Sequence, residues 1–258
     1  MNPVVCFSGF NIEFMIKKYL LFICIFHIGN SLLAQDFITR GKIEFEVKRN
    51  IKKLMRNQAQ SDLMSALPEF DICYRDLIFS WETSIYQAGR SSKSIYPTIG
   101  KLYSDLSKRQ TVIQNNIMGE EFIYTDSVRN IKWKITNETR NIIGFNCRKA
   151  IGIISDSVYV VAFYAAEIIP KGGPEFFTGL PGMILGIAIP REFTTWFATK
   201  LEIANIDESV IAAPTLKKVK RYSKKEIAEI VLKKYMGAFG KDWTPEKVEK
   251  NFLSRFEL

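Results

Sequence analysis

The chain has 258 residues, with 36 Lys and Arg against 27 Asp and Glu, a formal net charge of +9. Hydrophobic residues make up 47% of it, including 19 Phe, 10 Tyr and 4 Trp, which suits one sizeable core and falls short of two comfortable domains. The one histidine, His27, lies in a segment that reads as a cleaved leader, so Ser-His-Asp catalysis, Cys-His catalysis and the common histidine-bearing zinc sites are excluded for the mature chain.

Residues 1–34 read as a signal peptide whose true start is Met15. Met15-Ile16-Lys17-Lys18 is a basic n-region, Tyr19 to Ile28 an apolar h-region, and Leu32-Leu33-Ala34 fits the small-residue cleavage rule. The apolar run is shorter than the about 20 residues of a comfortable membrane-spanning helix. Bulky Ile23 before Cys24 argues against a lipid-attached cysteine. The expectation is an exported protein, periplasmic or cell-surface, starting at Gln35 or Asp36 with a net charge of +8, since Glu13, Lys17 and Lys18 leave with the leader.

Past the leader, Lys42 to Val47 alternates with period two and predicts a half-buried strand. Lys48 to Leu67 is polar and basic with near-helical apolar spacing, ended by Pro68, and predicts a helix or an insertion. Ile72 to Trp81 and Thr83 to Gln87 are strand-like. Ala88 to Gln110, rich in Ser, Gly and Lys, reads as a long surface connection. Short strands follow at Thr111 to Met118, Glu121 to Thr125 and Ile131 to Thr136. A turn centred on Gly144 comes next, and Arg148 to Ile154 is expected to pair with Ser157 to Ala165. Met183 to Ile189 is apolar on both faces. In Phe193 to Ile206 the apolar side is expected to carry Phe193, Phe197, Leu201 and Ile203, with Trp196 interrupting the polar side. Near the carboxyl end, Ser223 and Glu226 form a capping-box pattern before the stripe Ile227, Ile230, Val231, Tyr235, Ala238 and Phe239. Thr244-Pro245 opens a second helical pattern with Val248, Phe252 and Phe256.

Gly173-Pro174-Glu175-Phe176-Phe177-Thr178-Gly179-Leu180-Pro181-Gly182-Met183-Ile184 is the most distinctive stretch. Together with Trp133 to Thr139 and Gly144 to Ala150, in that order and spacing, it resembles the GLPGLI family of exported Bacteroidetes proteins over roughly residues 36–206. Met183 stands where the family usually has Leu. The resemblance implies an exported envelope protein, and the family has no settled activity. The expected fold class is α+β, mainly antiparallel β: a curved meandering sheet or half-barrel over residues 36–212, then a basic linker and carboxyl-terminal helices over 213–258 packed on or beside it. Such a sheet looks similar in architecture to half-barrel lipid and lipoprotein carriers.

Several groups are candidates for function. Gly173, Pro174, Phe176, Phe177, Gly179, Leu180, Pro181 and Gly182 form either a recognition loop or a structural turn. On an extended chain Phe176 and Phe177 point oppositely, which would leave one exposed. Pro181-Gly182 suits the centre of a type II turn with positive φ at Gly182. Cys73 and Cys147 are either a disulfide or two buried thiols. Lys217, Lys218, Lys220, Arg221, Lys224 and Lys225 form a basic patch, with a second cluster at Lys48 to Arg56. At an export address their partners would be lipid head groups or other anionic envelope surfaces rather than nucleic acid. Glu138, Asp156, Glu167 and Glu175 read best as solvated charges. No Walker loop, dinucleotide turn, EF-hand pattern, metal set or cofactor motif is present. The leading expectation is a non-enzymatic accessory or binding protein of the cell envelope that holds an apolar ligand or a partner segment. The alternative is a carboxylate-dependent, glycosidase-like envelope hydrolase.

Overall fold

Strict alternation drives the first strand. In β1 (Arg40–Asn50), Ile43, Phe45 and Val47 are buried, while Lys42, Glu44, Glu46 and Lys48 are half-buried between them. The computed structural model describes residues 37–55, 66–91, 93–95, 98–117, 119–155, 158–214, 221–239 and 244. Within them, β1 is followed by a single helical turn, α1 (Ile51–Met55), and then by β2 (Phe70–Ser80), β3 (Thr83–Ala88), β4 (Lys101–Asp105), β5 (Gln110–Ile117) and β6 (Glu120–Ser127). A second run comprises β7 (Lys132–Ile142), β8 (Phe145–Ser155), β9 (Val158–Ala165), β10 (Met183–Ile189) and β11 (Thr194–Glu202). The two-residue β12 (Arg221–Tyr222) and helix α2 (Lys224–Phe239) close the described chain.

All twelve strands belong to one sheet, in the order β12-β6-β5-β4-β3-β2-β1-β11-β10-β9-β8-β7. Two meanders, β1 to β6 and β7 to β11, are joined where β1 pairs antiparallel with β11. Every pairing is antiparallel except that of β12 with β6. The β7–β8 turn is a two-residue hairpin: Ile143 and Gly144 both have positive φ, 45° and 91°, between the paired Ile142 and Phe145, as the primed turns of tight hairpins require.

The topology dictates a strong curl. Strands β6 and β7 stand ten places apart in the sheet, about 48 Å if it were flat. Yet only residues 128–131 connect them, a link that reaches about 17 Å at most. The sheet must therefore roll until its two ends approach each other, without pairing: an open barrel, in keeping with the expected curved sheet.

The inner face is packed by the chain itself. Phe45 and Leu77 from the strands, Ile168, Phe176, Phe177 and Leu180 from the segment between β9 and β10, and Ile227, Ala228 and Val231 from α2 share one buried cluster. The capping box forms as expected: Glu226 N donates to Ser223 Oγ at 3.2 Å, and Ser223 N to Glu226 Oε2 at 2.8 Å. Tyr222 meets Phe122 edge-on at 5.4 Å, which seats β12 and the start of α2. No helix among the described residues is long and apolar enough to cross a membrane.

Several expectations are corrected here. The segment 88–110 is not all connection, because β4 lies within it, paired on both sides. Trp196 does not interrupt a polar face: it marks the inner face of β11 with Thr194 and Ala198, while Phe193 is 42% exposed. Of the two states expected for Cys73 and Cys147, the structure has the second, both free and buried. They lie on β2 and β8, five strands apart in the sheet order, and both belong to the one buried cluster. The second carboxyl-terminal helical pattern and the leader lie outside the described residues, as do Lys217, Lys218 and Lys220.

Candidate functional site

The distinctive loop is built as a plug. Phe177 N donates to Pro174 O at 3.2 Å, Gly179 N to Lys171 O at 3.2 Å, and Ile184 N to Gly172 O at 2.9 Å. These bonds fold the segment back on itself, so it is not extended, and both phenylalanines are buried, Phe176 at 5% and Phe177 at 2% exposure. Leu180 is buried beside them, whereas Gly179 and Pro181 stay exposed. The turn is tighter than a type II turn: Gly182 N donates to Leu180 O at 2.9 Å, a three-residue γ-turn with Pro181 at its centre. Gly182 does have positive φ, 146°, and a Cβ there would stand 2.2 Å from Ala165 O. Gly173 is fixed by packing, since a Cβ would meet Phe177 O at 2.6 Å.

Glu175 is the polar exception in this plug. It is half-buried, its backbone is left-handed (φ 52°), and its Oε1 accepts from Trp196 Nε1 at 3.0 Å. Burial pushes its carboxyl up to about 7, against the opposing pull of Arg49, the Trp196 bond, Arg75 and Arg129. It is not the solvated charge expected. Glu138 is, exposed and paired with Lys149 at 2.8 Å, and Glu167 is half-buried. Asp156 lies outside the described residues. Nothing brings Glu138 to Glu175 as a catalytic pair: Glu138 sits on β7 with Lys149 of β8, and the charges acting most on Glu175 are arginines.

One groove stands out at the end of the barrel where β6 and β7 approach each other, with a volume of about 500 Å³. Four separate segments line it: Trp81 and Glu82 of the β2–β3 turn, Leu106 and Arg109 of the β4–β5 turn, Val128 to Ile131 of the β6–β7 link, and Ile169 to Lys171 with Thr178 and Gly179 of the plug. Backbone bonds stitch this rim together, Leu106 N to Glu82 O at 2.8 Å, Val128 N to Arg109 O at 3.0 Å, and Trp81 N to Thr39 O at 2.9 Å. Trp133 Nε1 ties β7 to Thr178 O at 2.8 Å.

The groove carries strain and charge. Trp81 (φ 26°) and Arg109 (φ 51°) are both left-handed without being glycine, a cost that surrounding structure must hold in place and that clusters at binding sites. Asp105 holds the β4–β5 turn. It accepts from Ser107 Oγ at 2.6 Å, Lys108 N at 3.0 Å and Lys108 Nζ at 2.9 Å. Burial raises its carboxyl, but these bonds outweigh that and hold it down at about 2. Three cations, Arg109, Arg129 and Lys171, face one acid, Glu82, and Trp81 leaves 57% of its surface exposed beside them. Arg129 also lies 4.7 Å over the ring of Phe176, linking groove to plug.

Of the residues expected at a site, only Gly179 lines this groove, through backbone. Trp81, Glu82, Arg109, Arg129 and Lys171 were missed. The available signals were an aromatic-acid pair at a hairpin turn and a link too short for the sheet it spans. Of the basic patch, the side chain of Lys225 is described, and it is exposed. The apolar inner face that would suit an apolar ligand is covered by Phe176, Phe177 and α2. Among the described residues no group of three or more His, Cys, Asp or Glu is placed to hold a metal ion.

No family model matches the chain, and no curated relative matches it. Among solved structures it is similar to PNGF-II in two crystal forms. One alignment has a TM-score of 0.52 at 15% identity over 76% of this chain and 33% of that chain. The other has a TM-score of 0.48 at 14% identity over 67% and 29%. This chain thus spans about a third of the length of that protein, and the likeness is one of fold.

Proposed function

We propose that this chain is an exported binding protein of the cell envelope, of the GLPGLI type its motif resembles, and that it takes an anionic envelope ligand in the rim groove. The observation that carries the reading is the groove's composition: Arg109, Arg129 and Lys171 gathered against Glu82 alone, with an exposed indole beside them. A concave site of about 500 Å³ is of the size that encloses a small ligand. The cations supply attraction to carboxylate or phosphate, which Arg binds through two donors at once. The flat Trp81 ring offers a face for the C–H side of a sugar ring or an acyl-glycerol backbone. Backbone strain at Trp81 and Arg109 fits residues kept for what they present rather than for folding ease. The amino-terminal pattern supports export, and the plugged interior directs the ligand to the rim.

The test is calorimetric titration of the mature protein with tetragalacturonate, neutral maltotetraose and short-chain phosphatidylglycerol. Binding of an anionic probe, weakened by salt and by Trp81→Ala and Arg109→Ala, is the expected result. Equal affinity for the neutral saccharide, or no binding of either anion, overturns the reading.

Glu175 is the one observation favouring a hydrolase, because a carboxyl held near 7 can serve as a general acid. Its strongest charged neighbours are arginines, whereas glycoside hydrolysis calls for a second carboxylate about 5–10 Å away. Turnover of a saccharide probe that Glu175→Gln abolishes would favour that reading instead.

A further inference from the structure

A second polar locus lies on the inner face, at the far end of β3 from Trp81. Arg75, Tyr86 and Asn115 are 3%, 1% and 1% exposed. The Arg75 Nε, Tyr86 hydroxyl and Asn115 Nδ2 each lack a hydrogen-bond partner among the described residues. All three are donors. Buried donors left unpaired are rare in native proteins, and three on neighbouring strands call for an acceptor that the chain does not supply.

The register brings them together. Arg75 pairs with Ala88, and Gln87 with Lys101, which sets Gly100 next to Ala88; Gly100 N donates to Asn115 Oδ1 at 2.6 Å. A row thus runs Arg75, Ala88, Gly100, Asn115 across four strands, with small residues at its centre. The Arg75 side chain crosses that centre, its Nη2 donating to Gly100 O at 3.0 Å and also to Ile99 O. One row along, Tyr86 lies beneath the Arg75 guanidinium, 5.1 Å from ring centroid to Cζ. Its hydroxyl is beside that guanidinium without a bond of normal geometry to it. Ala88 and Gly100 are exposed, while the three donor atoms themselves are closed off from solvent. Carbonyls occupy Nη2, and the acid that acts on this locus is Glu175, which feels Arg75 and in turn acts on Tyr86.

We propose that this locus is a binding site for an oxyanion, a carboxylate or phosphate group, held by Arg75, Tyr86 and Asn115 over the Ala88–Gly100 floor. Nε of Arg75 supplies charge and one bond, and the phenol and amide supply two more from either side, a donor set that suits an acceptor-only group. It rests on none of the groove residues and stands or falls independently of the rim site.

The experiment is thermal unfolding of the mature protein in sodium acetate, sodium phosphate and sodium chloride at matched ionic strength, with phosphorus NMR line broadening of inorganic phosphate as a direct readout. Tyr86→Phe deletes an unpaired hydroxyl at constant shape. Asn115→Asp keeps the acceptor for Gly100 N, removes the free donor and adds repulsion. A saturable rise in Tm with acetate or phosphate over chloride is expected, with apparent affinity about tenfold weaker in each variant, the worth of one charge-assisted bond. Acetate alone or phosphate alone tells which oxyanion the site takes. An equal response to chloride overturns the proposal. So does an unchanged oxyanion response in both variants, or a Tyr86→Phe protein that is merely more stable in every salt, as the removal of an idle buried hydroxyl would make it.

Discussion

Replacing Glu175 by Gln should make the protein more stable at neutral and alkaline pH, although it removes a charge facing three arginines. The folded carboxyl titrates at about 7, against 4.5 for the free group. Between those values the folded protein holds a proton that the unfolded chain has released, so stability falls as pH rises from about 4.5 to 7. At about 1.4 kcal/mol per pH unit the loss is on the order of 3 kcal/mol. The arginine attractions are already counted within that shift, because they lower a value that burial has raised further. Gln keeps the acceptor for Trp196 Nε1 and cannot ionise. Urea unfolding at pH 5, 6, 7 and 8 is the assay. The variant should match the wild type near pH 5 and exceed it by a few kcal/mol at pH 8. Parallel curves for the two proteins over this range would show that Glu175 ionises freely in the fold, and the reasoning would fail.

Gly182→Ala should cost on the order of 2 kcal/mol or more, since its Cβ would stand 2.2 Å from Ala165 O and φ is 146°; a neutral change in chemical unfolding would refute the backbone account. Asp105→Asn should lower stability at pH 7 by on the order of 2 kcal/mol. The wild type should lose the same contribution as pH falls from about 3.8 towards about 2, a loss absent from the variant's acid titration. Cys73 and Cys147 should resist alkylation in the folded protein, where burial raises both thiols and takes Cys147 up to about 12. Both should react in denaturant without reductant, and a mass spectrum showing neither modified would establish a bridge after all. Ser223→Ala should cost about 1 kcal/mol, read as faster hydrogen exchange in the first turns of α2.

Much of the sheet was legible because its strands alternate. Ile43, Phe45 and Val47 announce β1, and the capping pattern at Ser223 announces α2. Strand β4 was not legible: Leu102 and Tyr103 are its only large apolar residues, and it is a strand because β3 and β5 bond it from both sides. Trp196 misled because β11 has apolar contacts on both faces, Phe197 packing outside against Phe163 at 6.4 Å and under Arg140 at 4.4 Å. The motif loop was legible as a turn, but its fold-back at Pro174 to Phe177 depends on the barrel it fills. The groove could not be read at all, because Trp81, Arg109, Arg129 and Lys171 are strangers in sequence. They meet only through the curl that the short link 128–131 enforces.

The β1–β11 junction between the two meanders also orders events in time. Lys42 pairs with Glu202 and Arg49 with Thr194, partners 160 and 145 residues apart. During synthesis at about 5–20 residues per second, β1 has its β2 neighbour early and then waits roughly ten seconds for the other. Throughout that wait its second edge offers unpaired amides and carbonyls, the geometry on which another chain can template. Lys42, Glu44, Glu46 and Lys48 punctuate that edge with charge, a safeguard for the nascent chain. Swapping them for threonine would remove the Lys42–Asp76 and Glu44–Arg90 pairs of the finished barrel and would expose the newborn one to its own copies.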